Sequence, residues 1–377
     1  MTRWLIVAGD FTLRGGMDAA NFGLAGYLAR QPHNEVHLVA HAVSSGLPSS
    51  VRAHIVRRPF GAHRFGEPFL RAGAGRWRRR LGSGVHAVAN GGNAALADVN
   101  WVHYVHAAFQ PRAAGLLNDF RVRSNRNRNV REEAAALRQS RLIICNSRRT
   151  AEDVVRTVGV PRDRTEVVYY GTDPARFGGI GPVERQLARR RLCVAADRPV
   201  ALFAGALGNR RKNFDTLFDA WRQLCASGEW DVDLLVAGSG AELDRWQSRA
   251  SEAGLKERIR FLGFRPDMPF LMAACDVLVH PARYEPYGLS VHEALCRGVP
   301  AIVSADAGIA ERYPEDLRRL LVGDPDSASE LAARLRSWRS DSGVSAAVAA
   351  LGSRLRSRTW DHMAGEIASI VTGSAVR

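Results

Sequence analysis

Three cations stand in a row at Arg210, Arg211 and Lys212, just before a stretch whose apolar residues Phe214, Leu217, Phe218, Trp221, Leu224 and Cys225 recur at helical spacing. The N-terminal end of a helix carries partial positive charge and free N–H groups, so cations there are unfavourable unless an anion is bound. Of 53 basic residues only Lys212 and Lys256 are lysines. A compact point charge at 212 suits a phosphate contact, and the competing reading is a solvated basic turn.

A second constellation is Glu285-Pro286-Tyr287-Gly288-Leu289-Ser290-Val291-His292-Glu293. It follows an apolar run ending at His280-Pro281 and opens a helix expected to reach Arg297, with Gly298 as its stop. Such a loop presents helix N-terminal N–H groups at the C-terminal edge of a sheet, where α/β proteins bind ligands. Glu293 stands three residues after Ser290, so a capping box accounts for it as readily as a ligand does. Glu285, before a proline and outside any helix, has no comparable structural role.

Other motifs carry less. Gly238-Ser239-Gly240 follows a strand but lacks the third glycine of a dinucleotide fingerprint. Asp231 with Asp233, and Asp324 with Asp326, read as a strand entry and a proline turn in preference to metal sites. No metal and no organic cofactor is expected. The five cysteines show no C-x-x-C spacing, which excludes a disulfide scaffold and suits a reducing cytoplasm.

The elements that position these groups alternate between strand-like and helix-period runs, the pattern of parallel sheets with crossover helices. Strands are expected at Leu5–Ala8, Val36–Ala40, Trp101–His106, Leu142–Cys145 and Val167–Tyr170. A second series is expected at Val200–Phe203, Leu234–Val236, Ile259–Leu262, Val277–Val279 and Ala301–Val303. A Gly15-Gly16 turn precedes a helix with Ala20, Leu24, Tyr27 and Leu28 on one face. Residues 57–84 read as Arg- and Gly-rich loops or a short helix, and 174–199 as a polar interdomain stretch. A length of 377 residues suits two domains. No apolar run approaches the ~18 residues of a membrane span.

The two-glutamate segment resembles the signature of retaining nucleotide-sugar glycosyltransferases of family 4, which have the GT-B fold. The likeness extends upstream through Phe261-Leu262-Gly263 and Asp276 to Pro281, and downstream through Gly298 to Ser304, Gly308 and Glu311. Gly205 to Lys212 and on to Asp215 resembles the family's diphosphate segment. In the first half, Gly15-Gly16, Val102 to His106, Asn146-Ser147 and Gly171 to Asp173 fall in the expected order. One departure is Ala206, where the family often has arginine, so the diphosphate arginine falls to Arg211 or Arg210.

The resemblance implies two doubly wound Rossmann-like domains facing a central cleft: an acceptor domain over 1–177, a donor domain over 178–357, and a C-terminal helix, 358–377, returning to the first. It implies transfer of a sugar from a UDP- or GDP-linked donor to an acceptor hydroxyl with retained configuration, in cell-envelope or polysaccharide synthesis. Lys212, the neighbouring arginine and the N–H groups around Tyr287, Gly288 and Leu289 would stabilise the departing diphosphate without a metal. Glu293 would hold the ribose and Glu285 the donor sugar. Gly15, Gly16 and Gly263 would line the donor site, and His106, with His103 as its competitor, would stand near the sugar. The alternatives are transfer to a small soluble acceptor and a non-catalytic nucleotide-sugar-binding protein.

Charge suggests a further partner. Residues 1–175 carry 25 arginines against 13 acidic residues, whereas residues 176–377 carry 28 basic against 25 acidic. Arg71, Arg76, Arg78, Arg79, Arg80, Arg121, Arg123, Arg126, Arg128 and Arg131 lie near Phe65, Phe69, Trp77 and Phe120. That mixture suits peripheral docking on an anionic membrane beside a lipid-linked saccharide, at the inner face of the plasma membrane. A nucleic-acid partner is not expected, because no base-reading module is present.

Overall fold

The computed structural model describes residues 1–13, 16–111, 116–208 and 210–373. The chain divides into two compact units. One comprises Met1–Gln110, Ser124–Gly171 and Arg358–Arg377, and the other comprises Pro111–Arg123 and Thr172–Ser357.

Seven strands form the sheet of the first unit, in the order Arg52–Ile55, Asn34–Ala40, Thr2–Val7, Val85–Asn90, Val99–Val102, Leu142–Cys145 and Thr165–Val167, all neighbours parallel. Trp4 to Ala8 is buried throughout because helices cover both faces of a parallel sheet, which explains its unbroken apolar text. Val85–Asn90, interrupted by His86, does not stand out in the sequence, yet it flanks Thr2–Val7 opposite Asn34–Ala40.

Three expectations are corrected here. Residues 57–84 hold a 19-residue helix, His63–Leu81, which buries Gly66, Leu70, Ala74 and Leu81 along one stripe. Its glycines, its arginines and Pro68 mask that stripe in the sequence. The strand expected to reach His106 ends at Val102, and His106 opens a short 3₁₀ turn, His106–Ala108. The stretch 174–199 contains the helix Pro182–Arg191, anchored by Arg185 and Arg189 to Asp276 and to the carbonyls of Ala274 and Cys275.

The C-terminal helix Trp360–Thr372 belongs to the first unit. It packs on Gly16–Arg30, where Gly23 lies so close to Trp360 that a Cβ would come within 3.1 Å of it. Arg30 and Asp361 pair at 2.5 Å, and Arg358 donates to the carbonyl of Tyr169.

The second unit carries a six-stranded parallel sheet in the order Ile259–Gly263, Asp233–Ala237, Val200–Ala204, Val277–His280, Ala301–Ser304 and Leu321–Val322. In each sheet the first strand of the series sits inside and the order reverses beside it. The reversal lies between Thr2–Val7 and Val85–Asn90 in one, and between Val200–Ala204 and Val277–His280 in the other. The loops that leave these strand pairs diverge and open a crevice at their C-terminal ends. No helix among the described residues is long and apolar enough to cross a membrane.

Candidate active site

In the second unit, the loops leaving Val200–Ala204 and Val277–His280 bring Lys212 and Glu285 together. Lys212 Nζ lies 2.5 Å from Glu285 Oε2, and His280 Nε2 lies 2.8 Å from the same oxygen. Lys212 Nζ and His280 Nε2 are 3.3 Å apart. The Lys212 stem crosses Gly205, where a Cβ would sit 3.0 Å from Lys212 Cγ. Arg211 stands 3.7 Å from the Glu285 carboxylate and donates to the carbonyl of Tyr284 at 3.1 Å. Arg210 Nε is buried with no hydrogen-bond partner among the described residues.

The charges here are set by one another. Burial opposes ionisation of Glu285, but Lys212, the His280 hydrogen bond and Arg211 outweigh it and hold the carboxyl well below its usual range. Burial lowers the pKa of Lys212 and Arg211 adds to this, while Glu285 works the other way. His280, buried beside Lys212, is pushed down to about 4 and is neutral at pH 7. The cluster is thus a direct Lys212–Glu285 contact with the neutral His280 imidazole against both groups and guanidinium groups at its edge.

Arg283 fixes the cationic loop. It reaches Asp215 at 2.9 and 2.8 Å, the carbonyl of Arg210 at 2.9 Å and Asp326 at 2.5 Å. Its backbone N–H donates to the carbonyl of Arg211 at 2.9 Å. Asn213, in the left-handed region, caps the helix Phe214–Cys225 through its side chain.

The loop after Glu285 is held by Gly308 N–H on the carbonyl of Glu285 and by Ile309 N–H on that of Tyr287. Gly288 has φ 104° and forms the N-cap of the helix Leu289–Cys296 without a side-chain capping bond. The Ser290–Glu293 capping box is therefore not formed, since Ser290 already lies within the helix. The Glu293 carboxylate has no hydrogen-bond or ion-pair partner among the described residues, and burial pushes its pKa up to about 8 against the pull of Arg176. Tyr287 is buried, its hydroxyl 2.8 Å from His292 Nδ1. Gly263, at φ 66°, ends its strand and accepts from Gly238 N–H at 2.8 Å.

At the strand reversal of the first unit lies a cavity of about 320 Å³ whose lining includes Met17, His63, Asn90, His103 and His106. Glu133 grips His106 twice: Oε2 accepts from its backbone N–H at 2.8 Å, and Oε1 lies 3.0 Å from Nδ1. His103 Nδ1 is bonded to the Tyr170 hydroxyl, which Asn146 Nδ2 reaches at 3.1 Å. Burial pushes the His103 pKa down to about 3. Both candidate histidines thus line one cavity. Gly16 begins the helix Gly16–Arg30, and Gly15 lies outside the described residues.

Two family models match in succession. Residues 14–176 match Glycosyltransferase Family 4, and residues 184–354 match Glycosyl transferases group 1. The two matched segments follow one another along most of the chain. The GT-B fold is shared with the solved structure of WaaG, a glycosyltransferase involved in lipopolysaccharide biosynthesis, at TM-score 0.79 and 20% identity over 98% of this chain and 100% of that one. It is shared likewise with Anabaena Alr3699/HepE in complex with UDP and glucose, at TM-score 0.72 and 20% identity over 99% and 100% of the two chains. The 2-deoxystreptamine N-acetyl-D-glucosaminyltransferase of Streptomyces fradiae is 32% identical over 202 residues, 52% of this chain and 47% of that protein. Across the curated relatives that head the comparison, the matched stretch spans 47% to 59% of their own lengths.

Within these sites, sequence reasoning brought out Lys212, Arg211 and Glu285 but missed His280, Arg283 and Glu133. His280 has a readable sign, a histidine ending a strand beside the switch point. Arg283 and Glu133 do not stand out among so many charged residues. The acidic pairs considered for metals are instead held by arginines: Asp231 by Arg339, Asp233 by Arg198 and Arg258, and Asp326 by Arg283.

Proposed function

We propose that this chain transfers a sugar from a nucleoside-diphosphate donor, UDP- or GDP-linked, to an acceptor hydroxyl with retention of configuration. The observation that carries this reading is the Lys212–Glu285–His280 cluster at the switch point of the second sheet. In the reaction the bond from the anomeric carbon to the β-phosphate oxygen breaks, and one to the acceptor oxygen forms. The acceptor proton passes to the departing phosphate. Lys212, with Arg211 or Arg210 and the N–H groups of Gly288 and Leu289, offsets the charge that develops there, so no divalent cation is required. Preorganised cations in a buried site cost no reorganisation when the bond breaks. Glu285 contacts the donor sugar, and Glu293 takes the ribose hydroxyls. His106, oriented by Glu133, is assigned to a sugar hydroxyl.

UDP is favoured as the nucleotide, because HepE was solved with UDP and glucose. Acceptors among similar proteins differ, since WaaG serves lipopolysaccharide synthesis and the Streptomyces fradiae relative is named for 2-deoxystreptamine. Docking at the cytoplasmic membrane surface is supported by Phe60 and Phe120, 91% and 71% exposed beside basic segments. Part of the basic charge is neutralised internally, because Arg71 and Arg128 pair with Glu67 and Glu132. The deciding experiment is nucleotide release from UDP- and GDP-sugars with and without acceptor. Acceptor-stimulated release supports transfer, whereas binding without release would leave a nucleotide-sugar-binding protein.

A further inference from the structure

The cavity of the first unit has an unusual lining for so basic a chain. Its carboxylates and imidazoles are Glu67, Glu132, Glu133, His63, His103 and His106, and among the described residues no arginine or lysine lines it. The nearby guanidinium groups stand behind the carboxylates. Arg71 reaches Glu132 at 2.6 Å and Glu67 at 4.0 Å, and Arg128 reaches Glu67 at 3.4 Å. A carboxylate offers about four lone-pair sites, so these arginines leave acceptor capacity on both glutamates.

A further observation agrees. Asn90, 4% exposed, lines the cavity, and its Oδ1 has no partner among the described residues, as is also true of Asn129 Oδ1. An unpartnered buried carbonyl calls for a donor from a ligand. The walls therefore offer carboxylates, amide oxygens and imidazoles. A phosphate or carboxylate would meet like charge, with no arginine or lysine among the described lining residues to face it. Hydroxyls and an ammonium would find acceptors.

We infer that this cavity binds the acceptor, and that the acceptor is an amine-bearing polyol free of phosphate and carboxylate, selected by Glu132 and Glu67. This rests on the transferase reading above for the word acceptor, while the chemical preference stands on the lining alone.

The test is calorimetric binding of D-glucosamine, D-glucose and D-glucose 6-phosphate to the full chain at pH 7, with nucleotide release from UDP- and GDP-sugars followed in parallel. Glucosamine should bind about fivefold tighter than glucose, and glucose 6-phosphate at least about fivefold weaker, the size expected of one partly screened charge contact. In Glu132→Gln the glucosamine advantage should shrink to about twofold or less, and glucose 6-phosphate should gain because Arg71 loses the nearer of its two carboxylates. Glu67→Gln provides the same readout if Glu132→Gln melts early. Glucose 6-phosphate matching glucose in the unaltered protein, absence of glucosamine binding, or an order unchanged in both variants overturns the inference. Nucleotide release with a reversed ranking sinks only the inference. The expected ranking without nucleotide release sinks only the transferase reading.

Discussion

Lys212 Nζ and Glu285 Oε2 meet at 2.5 Å across 73 residues of sequence, joined by two loops that leave neighbouring parallel strands. The strand order makes this encounter possible. Val200–Ala204 and Val277–His280 are side by side, so the segments after them start from one sheet edge. The Glu285 carboxylate counters the lowering of the Lys212 pKa by desolvation and so favours its cationic form.

Lys212→Ala should lower kcat by about a hundredfold or more, roughly 3–4 kcal/mol of transition-state stabilisation. It also leaves Glu285 buried without its main cation, at a cost of about 3–5 kcal/mol in stability. Lys212→Ala combined with Glu285→Gln should recover much of the melting temperature and none of the turnover. Recovery of both would reduce the pair to a structural ion pair.

Glu293 predicts a pH dependence. Its pKa is about 8 in the folded chain against 4.5 without burial, so between those values the folded state holds a proton that the unfolded state has lost. Stability is highest below the lower value and falls as pH rises through the window. Glu293→Gln should flatten this slope in melting curves from pH 5 to 8. If the carboxylate accepts ribose hydroxyls, nucleotide binding should also release protons at pH 7 in the unaltered protein and not in Glu293→Gln. Equal proton release in both would remove Glu293 from the nucleotide site.

Gly288→Ala should damage the site through the backbone. At φ 104° an added Cβ is strained, and it would stand 3.0 Å from Ile309 Cγ2 and 3.3 Å from Glu285 Cγ. A loss of about 1–3 kcal/mol in stability is expected, with a larger proportional fall in kcat than in thermal stability. Unchanged kinetics would show that the loop's shape is not needed for turnover.

Membrane docking predicts sedimentation with anionic vesicles at low salt, falling as ionic strength rises. Phe60→Ser should weaken it, because that ring is exposed and has Arg64 over its neighbour Phe65 at 4.4 Å. No binding to strongly anionic vesicles at low salt would point to acceptors free in solution.

The second unit was largely legible because its strands, apart from Ile259–Gly263 with Arg260, are mostly apolar runs and its functional segments are contiguous. The helix Phe214–Cys225 has the bounds that its periodicity gives. The chemistry of Lys212 and Glu285 shows in residue type alone. The first unit was less legible. The His63–Leu81 helix hides its buried stripe among arginines, and Glu133 gains its role only when the helix Leu116–Gln139 passes His106. Glu293 was ambiguous in sequence, because a capping box depends on where the helix begins, and Gly288 starts it two residues before Ser290.

The most direct measurement follows transfer from a UDP- or GDP-sugar by proton NMR in excess chelator, comparing the unaltered protein with Lys212→Ala. The expected result is a product with the donor's anomeric configuration, formed at a rate the chelator does not change and nearly abolished in the variant. An inverted product, or activity lost to chelator and restored by manganese or magnesium, would contradict a metal-free retaining transfer built on Lys212.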